Sequence, residues 1–126
     1  MNKESPKPFR EKRPWGEELW ITRDSTLGAP AMVKIISVSP GESLSLQYHH
    51  NRDEYWHVIS GDGMATIGEE KIPITTGSDC FVPRETKHRI QGGDVTLVFL
   101  ELAFGAFDEN DIVRLEDKYG RPVSQN

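Results

Sequence analysis

The chain has one cysteine, Cys80, in 126 residues, which excludes an internal disulfide and makes a reducing compartment the default setting. Its place between Asp79 and Phe81 reads as a buried, inert strand position. No window approaches the roughly 18 apolar residues of a membrane span, and the residues before Pro14 hold no apolar core of a secretory leader. A cytoplasmic protein with no membrane partner is the expectation. Positive charge is also in short supply: fifteen Lys and Arg against twenty Asp and Glu leave −5, which argues against nucleic acid as a partner. Long helical periodicity, internal repeats and low-complexity segments are absent as well. What remains is a chain of one-domain length, 36% hydrophobic and 28% charged, able to bury a core without staples.

The charge is uneven along the chain. Up to Pro14 it carries Lys3, Lys7, Arg10, Lys12 and Arg13 against Glu4 and Glu11, with Pro6 and Pro8 alongside. That composition predicts a flexible basic arm over residues 1–12 and a single domain over 13–126. Within the domain, short β-rich runs alternate with Gly, Pro, Asp and Ser, the pattern of an all-β sandwich or barrel. The strand candidates are Leu19–Thr22, Met32–Val38, Leu44–Tyr48, Glu54–Ile59, Met64–Ile67, Lys71–Ile74, Asp79–Val82, His88–Gln91 and Val95–Leu102. Ser39-Pro40-Gly41, Gly61-Asp62-Gly63 and Gly68-Glu69-Glu70 read as turns, and Gln91-Gly92-Gly93-Asp94 between two apolar runs reads as a hairpin. After Leu102 the acidic run Asp108–Asp111 before Ile112-Val113-Arg114-Leu115 predicts a helical turn or two, closing at Gly120.

Chemistry concentrates between Gly41 and Gly61, which holds three of the four histidines. Gln47 and His49 stand two apart and share a face in a strand, and Glu54 follows a stretch able to turn. With His88 they make two imidazoles, a carboxylate and an amide oxygen, a four-donor set suited to a divalent transition ion. Taken singly, each has a plain alternative as a strand or surface residue. His50 and His57 have the opposite strand parity and read as non-ligands. The same parity turns Leu44, Leu46 and Tyr48 away from Gln47 and His49, and an apolar outer face needs cover. A second copy of the chain, a homodimer, is the expected cover.

The spacing Gly41, Gln47, His49, Glu54, Gly61 resembles the first motif of the cupin superfamily, and Gly77, Pro83, His88 resembles the second. The cupin pattern usually has His where Gln47 stands and Gly where Glu85 stands. Closer still is the resemblance to type II mannose-6-phosphate isomerases, here as a stand-alone cupin domain without the nucleotidyltransferase domain to which it is often fused. It is carried by Arg13-Pro14-Trp15-Gly16, Pro40-Gly41-Glu42, Leu44–His50, Lys87-His88-Arg89, Asp111–Asp117 and Tyr119-Gly120-Arg121.

The resemblance implies a cupin-type double-stranded β-helix, a jelly-roll barrel, with short irregular ends. It implies one divalent metal ion, whether zinc, manganese, cobalt, nickel or iron, held by Gln47, His49, Glu54 and His88. The implied reaction interconverts mannose 6-phosphate and fructose 6-phosphate, the ion stabilising the enediolate formed when a proton leaves the carbon beside the carbonyl. Coordination would make Glu54 a poor base, so Glu101 on the last strand is the preferred proton acceptor, with a surface carboxylate as its plain alternative. Phosphate recognition needs cations, and Arg89, Lys34, Arg13 and Arg52 form the candidate pool, Arg89 next to the last ligand. Arg114 and Tyr119 belong to a tail that either packs or closes over the site. Two other functions stay open: a cupin that binds a sugar or nucleotide sugar without turnover, and a non-haem iron oxygenase, against which Gln47 counts because it fills a position oxygen chemistry needs.

Overall fold

The computed structural model describes residues 8–22 and 30–123. Among them there are eleven strands and no helix: β1 (Phe9–Arg13), β2 (Gly16–Thr22), β3 (Met32–Val38), β4 (Leu46–Tyr48), β5 (Arg52–Ser60), β6 (Asp62–Ile67), β7 (Glu70–Thr75), β8 (Asp79–Val82), β9 (His88–Gly92), β10 (Leu97–Gly105) and β11 (Val113–Glu116). They form two antiparallel sheets, one of six strands in the order β1-β2-β3-β10-β5-β8 and one of five in the order β11-β4-β9-β6-β7. Every strand expected from sequence is present, with ends moved by a few residues. No helix among the described residues is long and apolar enough to cross a membrane.

The chain passes from sheet to sheet at corners. Gly61, between β5 and β6, is one of them: its φ is +92°, and a Cβ there would lie 2.2 Å from the carbonyl oxygen of Thr96. Only glycine combines that left-handed backbone with so close an approach. The Gln91–Asp94 stretch is another corner, which corrects the hairpin expectation. It joins β9 in one sheet to β10 in the other, and β10 pairs with β3 and β5 instead.

Two further expectations are corrected. Phe9–Arg13 is not an arm but strand β1, paired with β2 and anchored by Phe9 stacked on Trp20 at 5.8 Å; the first seven residues of the expected arm lie outside the described residues. The stretch after Asp111 is not helical either. Val113–Glu116 is strand β11, pairing with β4. The apolar, β-branched Ile112 and Val113 suit a pleated edge better than a helix face.

Inward side chains of β3, β5 and β10 alternate strictly with half-buried or exposed ones, as a two-sheet packing requires. The inward rows are not uniform, however. Trp15, Ile36, Val38, Trp56, Val58, Cys80, Ile90, Leu97 and Phe99 belong to one apolar cluster, and Trp20, Met32 and Ala103 to a second. The inward rows also hold Glu18, Lys34, Arg52, Glu54 and Glu101, each at most 8% exposed. Cys80 is buried, and burial raises its thiol pKa, as an inert thiol requires.

Candidate metal centre and cavity

Register explains how distant residues meet. Gln47 on β4 lies opposite His88 on β9, while Glu54 on β5 lies opposite Ala103 on β10, two residues from Glu101. Donor atoms of His49, Glu54 and His88 all fall within 4.8 Å of one another, in residues that are 2%, 2% and 4% exposed.

Both imidazoles are oriented by main-chain acceptors. His49 Nδ1 lies 2.6 Å from the carbonyl oxygen of Asp111, and His88 Nδ1 lies 3.0 Å from that of Thr86. A carbonyl only accepts, so each Nδ1 carries the hydrogen and each Nε2 keeps its lone pair, as in metal-binding histidines. His88 Nε2 is buried with no hydrogen-bond partner, 3.5 Å from Glu54 Oε1. Burial lowers the His49 pKa to about 4, Glu54 opposing and Arg52 and His88 assisting, so the ring is neutral at pH 7. Burial opposes ionisation of Glu54, but the positive potential of His88, His49 and Arg52 overcomes it and holds the carboxyl below its usual range. A His49 imidazole kept neutral by burial, an ionised carboxylate and an orphaned His88 Nε2 fit a divalent transition ion. Gln47 is half-buried, and its amide oxygen accepts from Ser45 Oγ at 2.5 Å. His50 is exposed and His57 is bonded to Asp79 on the surface, and the donor group among the described residues is His49, Glu54 and His88.

A chain of buried polar contacts extends from the donors. The Trp56 indole N–H is shared between Glu54 Oε1 at 3.2 Å and Glu101 Oε1 at 3.1 Å. Burial and the neighbouring Glu54 charge push the Glu101 pKa up to about 8, with Lys34 and Arg52 pulling the other way. Glu101 is therefore no surface carboxylate. Lys34 Nζ lies 3.6 Å from Glu101, donates to Glu18 at 2.8 Å and sits 4.1 Å from the centre of the Trp20 ring. Two carboxylates already claim it, which makes it a poorer phosphate ligand than the sequence reading supposed.

Beside this chain opens a cavity of about 450 Å³ whose lining includes Arg13, Glu18, Lys34, Gln47, Arg52, Arg114 and Arg121. The three donors and Glu101 are not on its wall. Burial lowers the pKa of Arg114, and the charges of Arg121 and Arg13 lower it further against Asp117. Arg121 and Arg13 act on Arg114 as like charges, while Arg121 is itself paired with Asp117 at 2.9 Å and Arg13 with Glu11 at 2.7 Å and Glu18 at 2.8 Å, so an anion entering here competes with those carboxylates. Arg13 and Arg52 both line this cavity. Arg89 is not on its wall: it bonds the carbonyl of Leu44 at 3.1 Å and Glu116 at 3.2 Å. Strand parity with inward His88 turns it out, which corrects its place in the pool of phosphate-binding cations, and with it any part in catalysis through substrate contact.

Sequence reasoning missed Arg121 as a cavity residue and Asp111 as a support. The Asp111 carboxylate accepts from the backbone N–H groups of His50 and Asn51 at 2.8 and 2.9 Å, while its own carbonyl orients His49. Both residues lie in the quoted C-terminal stretch, so the pointer was present without the geometry.

The family model described as mannose-6-phosphate isomerase C-terminal matches residues 2–117. The chain belongs to that family. It is 42% identical over 111 residues to the xanthan biosynthesis protein XanB of Xanthomonas campestris, which covers 86% of this chain and 23% of that protein. It is 40% identical over 112 residues to the alginate biosynthesis protein AlgA of Pseudomonas putida, covering 86% and 22%. The chain thus spans less than a quarter of the length of these curated relatives. Among solved structures, the capsular polysaccharide assembling protein CapF of Staphylococcus aureus matches with a TM-score of 0.72 at 20% identity, over 88% of this chain and 35% of that one. The fold of this family member is the cupin fold.

Proposed function

We propose that this domain is a metal-dependent aldose–ketose isomerase that interconverts mannose 6-phosphate and fructose 6-phosphate. The observation that carries the reading is one cavity with Arg13, Arg114 and Arg121 on its wall and, behind Arg52 and Gln47, a donor group built for a divalent ion. The family description and the polysaccharide-biosynthesis names of the relatives support a sugar phosphate as substrate.

A divalent ion held by His49, Glu54 and His88, with Gln47 as a further donor, would supply Lewis acidity to the sugar's carbonyl and adjacent hydroxyl oxygens. The chain's own groups do the rest. The guanidiniums of Arg13, Arg114 and Arg121 hold the phosphate and fix the reacting end against the opposite wall. Glu101, whose pKa of about 8 leaves only a minor ionised fraction at pH 7, takes the proton in that ionised form from the carbon beside the carbonyl and returns it to its neighbour, so the rate rises with pH toward that value. Trp56 N–H and Lys34 position that carboxylate.

One observation favours a second reading, a sugar-binding module without turnover: Glu101 lies behind the cavity wall rather than on it. Protein reconstituted in turn with Zn2+, Mn2+, Co2+, Ni2+ and Fe2+ and assayed on hexose and pentose phosphates separates the two. Turnover of mannose 6-phosphate is expected, abolished in His88→Ala together with metal, and lowered by about 10²–10⁴ with metal retained in Glu101→Gln. Saturable binding of the sugar phosphate with no turnover under any metal would establish the module instead.

A further inference from the structure

Arg52 lies between the cavity and the donor group. It lines the cavity, is 8% exposed, and reaches inward to two atoms at once. Its Nε donates to Glu54 Oε2 at 3.1 Å and its Nη2 to His49 Nε2 at 3.0 Å. Those two acceptors are themselves 3.3 Å apart. They are the lone pairs with which His49 and Glu54 would hold a cation, and the planar guanidinium fork spans both. A divalent ion and Arg52 cannot use the same lone pairs together, and two cations beside one carboxylate repel.

We propose that Arg52 is a counter-ion latch, a resident cation that competes with the metal for His49 Nε2 and Glu54 Oε2, so that metal uptake releases it and its side chain sets the metal affinity of the site. This rests on the metal-site reading given above. The released guanidinium has a station within reach: its carbon already lies 4.9 Å from the centre of the Phe107 ring, also on the cavity wall. Release therefore exposes the donors to the cavity and turns Arg52 from their cover into one more cation facing an anionic substrate. Before metal arrives, the latch keeps a buried carboxylate from being left without a counter-charge.

The test uses chelator-stripped full chain and Co2+ alone, followed by calorimetry, by visible absorption of the bound ion, and by thermal melting with and without Co2+. Arg52→Gln is expected to bind Co2+ about tenfold more tightly or better than the wild type. Metal-free Arg52→Gln melts below metal-free wild type, so the rise in Tm on adding Co2+ is larger in the variant. Arg52→Lys keeps the charge without the fork and is expected to bind several-fold more tightly than the wild type; it decides the question if the Gln variant does not fold. Equal or weaker Co2+ binding by the variants, with binding intact in the wild type, overturns the latch and leaves the metal site standing. A Lys variant identical to wild type beside a tighter Gln variant also overturns it, because bulk charge repulsion then suffices. Absence of Co2+ binding from wild type and both variants overturns the metal reading and the latch with it.

Discussion

Arg89 and Arg121 show what one side chain's direction decides. Both are arginines in the family stretches and both are paired with an acid, yet Arg121, bonded to Asp117, lines the cavity, while Arg89, bonded to Leu44 and Glu116, is not on its wall. Arg121→Ala is expected to raise KM for the sugar phosphate at least about tenfold with a smaller loss in kcat, since a charge-assisted phosphate contact is worth ~1.5–3 kcal/mol. Arg89→Ala leaves KM unchanged in the same steady-state assay. Glu85 carries a different signature. Its φ is +63°, it is exposed, and its N–H donates to the carbonyl of His49 at 2.6 Å. Left-handed backbone costs a residue with a Cβ ~1–2 kcal/mol, part of which glycine gives back through unfolded-state entropy. Glu85→Gly is therefore expected to stabilise by ~1 kcal/mol, read as a higher urea midpoint at unchanged slope. The sequence pattern flagged this position, because the cupin motif places Gly there; the backbone angle supplies the reason.

The turn between β4 and β5 depends on a segment sixty residues away. Asp111 accepts from His50 N and Asn51 N and orients His49 through its carbonyl, just before β11 pairs with β4. Asp111→Ala keeps the carbonyl but strips two charge-assisted bonds from the turn. A loss of ~2 kcal/mol is expected in chemical denaturation, with weaker Co2+ binding in calorimetry because the turn that carries His49 and leads to Glu54 loosens. Period-two patterning revealed nine strands well, since inward burial imposes it. It failed for β1, where Phe9 provides the apolar anchor among charged neighbours, and for β11, where a polar start before apolar residues reads equally as a helix cap. Which sheet a strand joins was also illegible: a Gly-Gly corner serves a hairpin or a crossing alike, and pairing partners decide.

Across the domain, a chain of polar contacts runs from half-buried Arg13 through the buried Glu18, Lys34 and Glu101 to Trp56, Glu54, Arg52 and His49. Its stability is pH-dependent with a definite sign. Burial opposes ionisation of Glu18, but Lys34 and Arg13 outweigh it and hold its pKa below 4.5. Below 4.5 the unfolded chain then binds more protons than the folded one at this site, so stability rises with pH. The contribution is complete above 4.5 and is lost as pH falls through the lower folded value. Thermal melting should show Glu18→Gln less stable at pH 7 by about 2–3 kcal/mol, with a shallower fall of Tm under acid than the wild type. The proposed homodimer is a separate matter. Leu44 packs on the core cluster and Leu46 and Tyr48 are half-buried, so the outward apolar face of β4 is smaller than the sequence implied. A dimer is expected in sedimentation equilibrium, and a strict monomer at micromolar concentration removes the second copy.

Strand periodicity, turn glycines and the spacing of Gln47, His49, Glu54 and His88 were readable in the linear order, because alternation and donor chemistry are local properties of a chain. So was the all-β class. The tertiary structure alone decided which cations share a cavity, that Glu101 and Lys34 are buried together, and that Arg52 holds the atoms of His49 and Glu54. Those facts depend on register between strands far apart in sequence, and a shift of one residue would turn every one of those side chains to the other face.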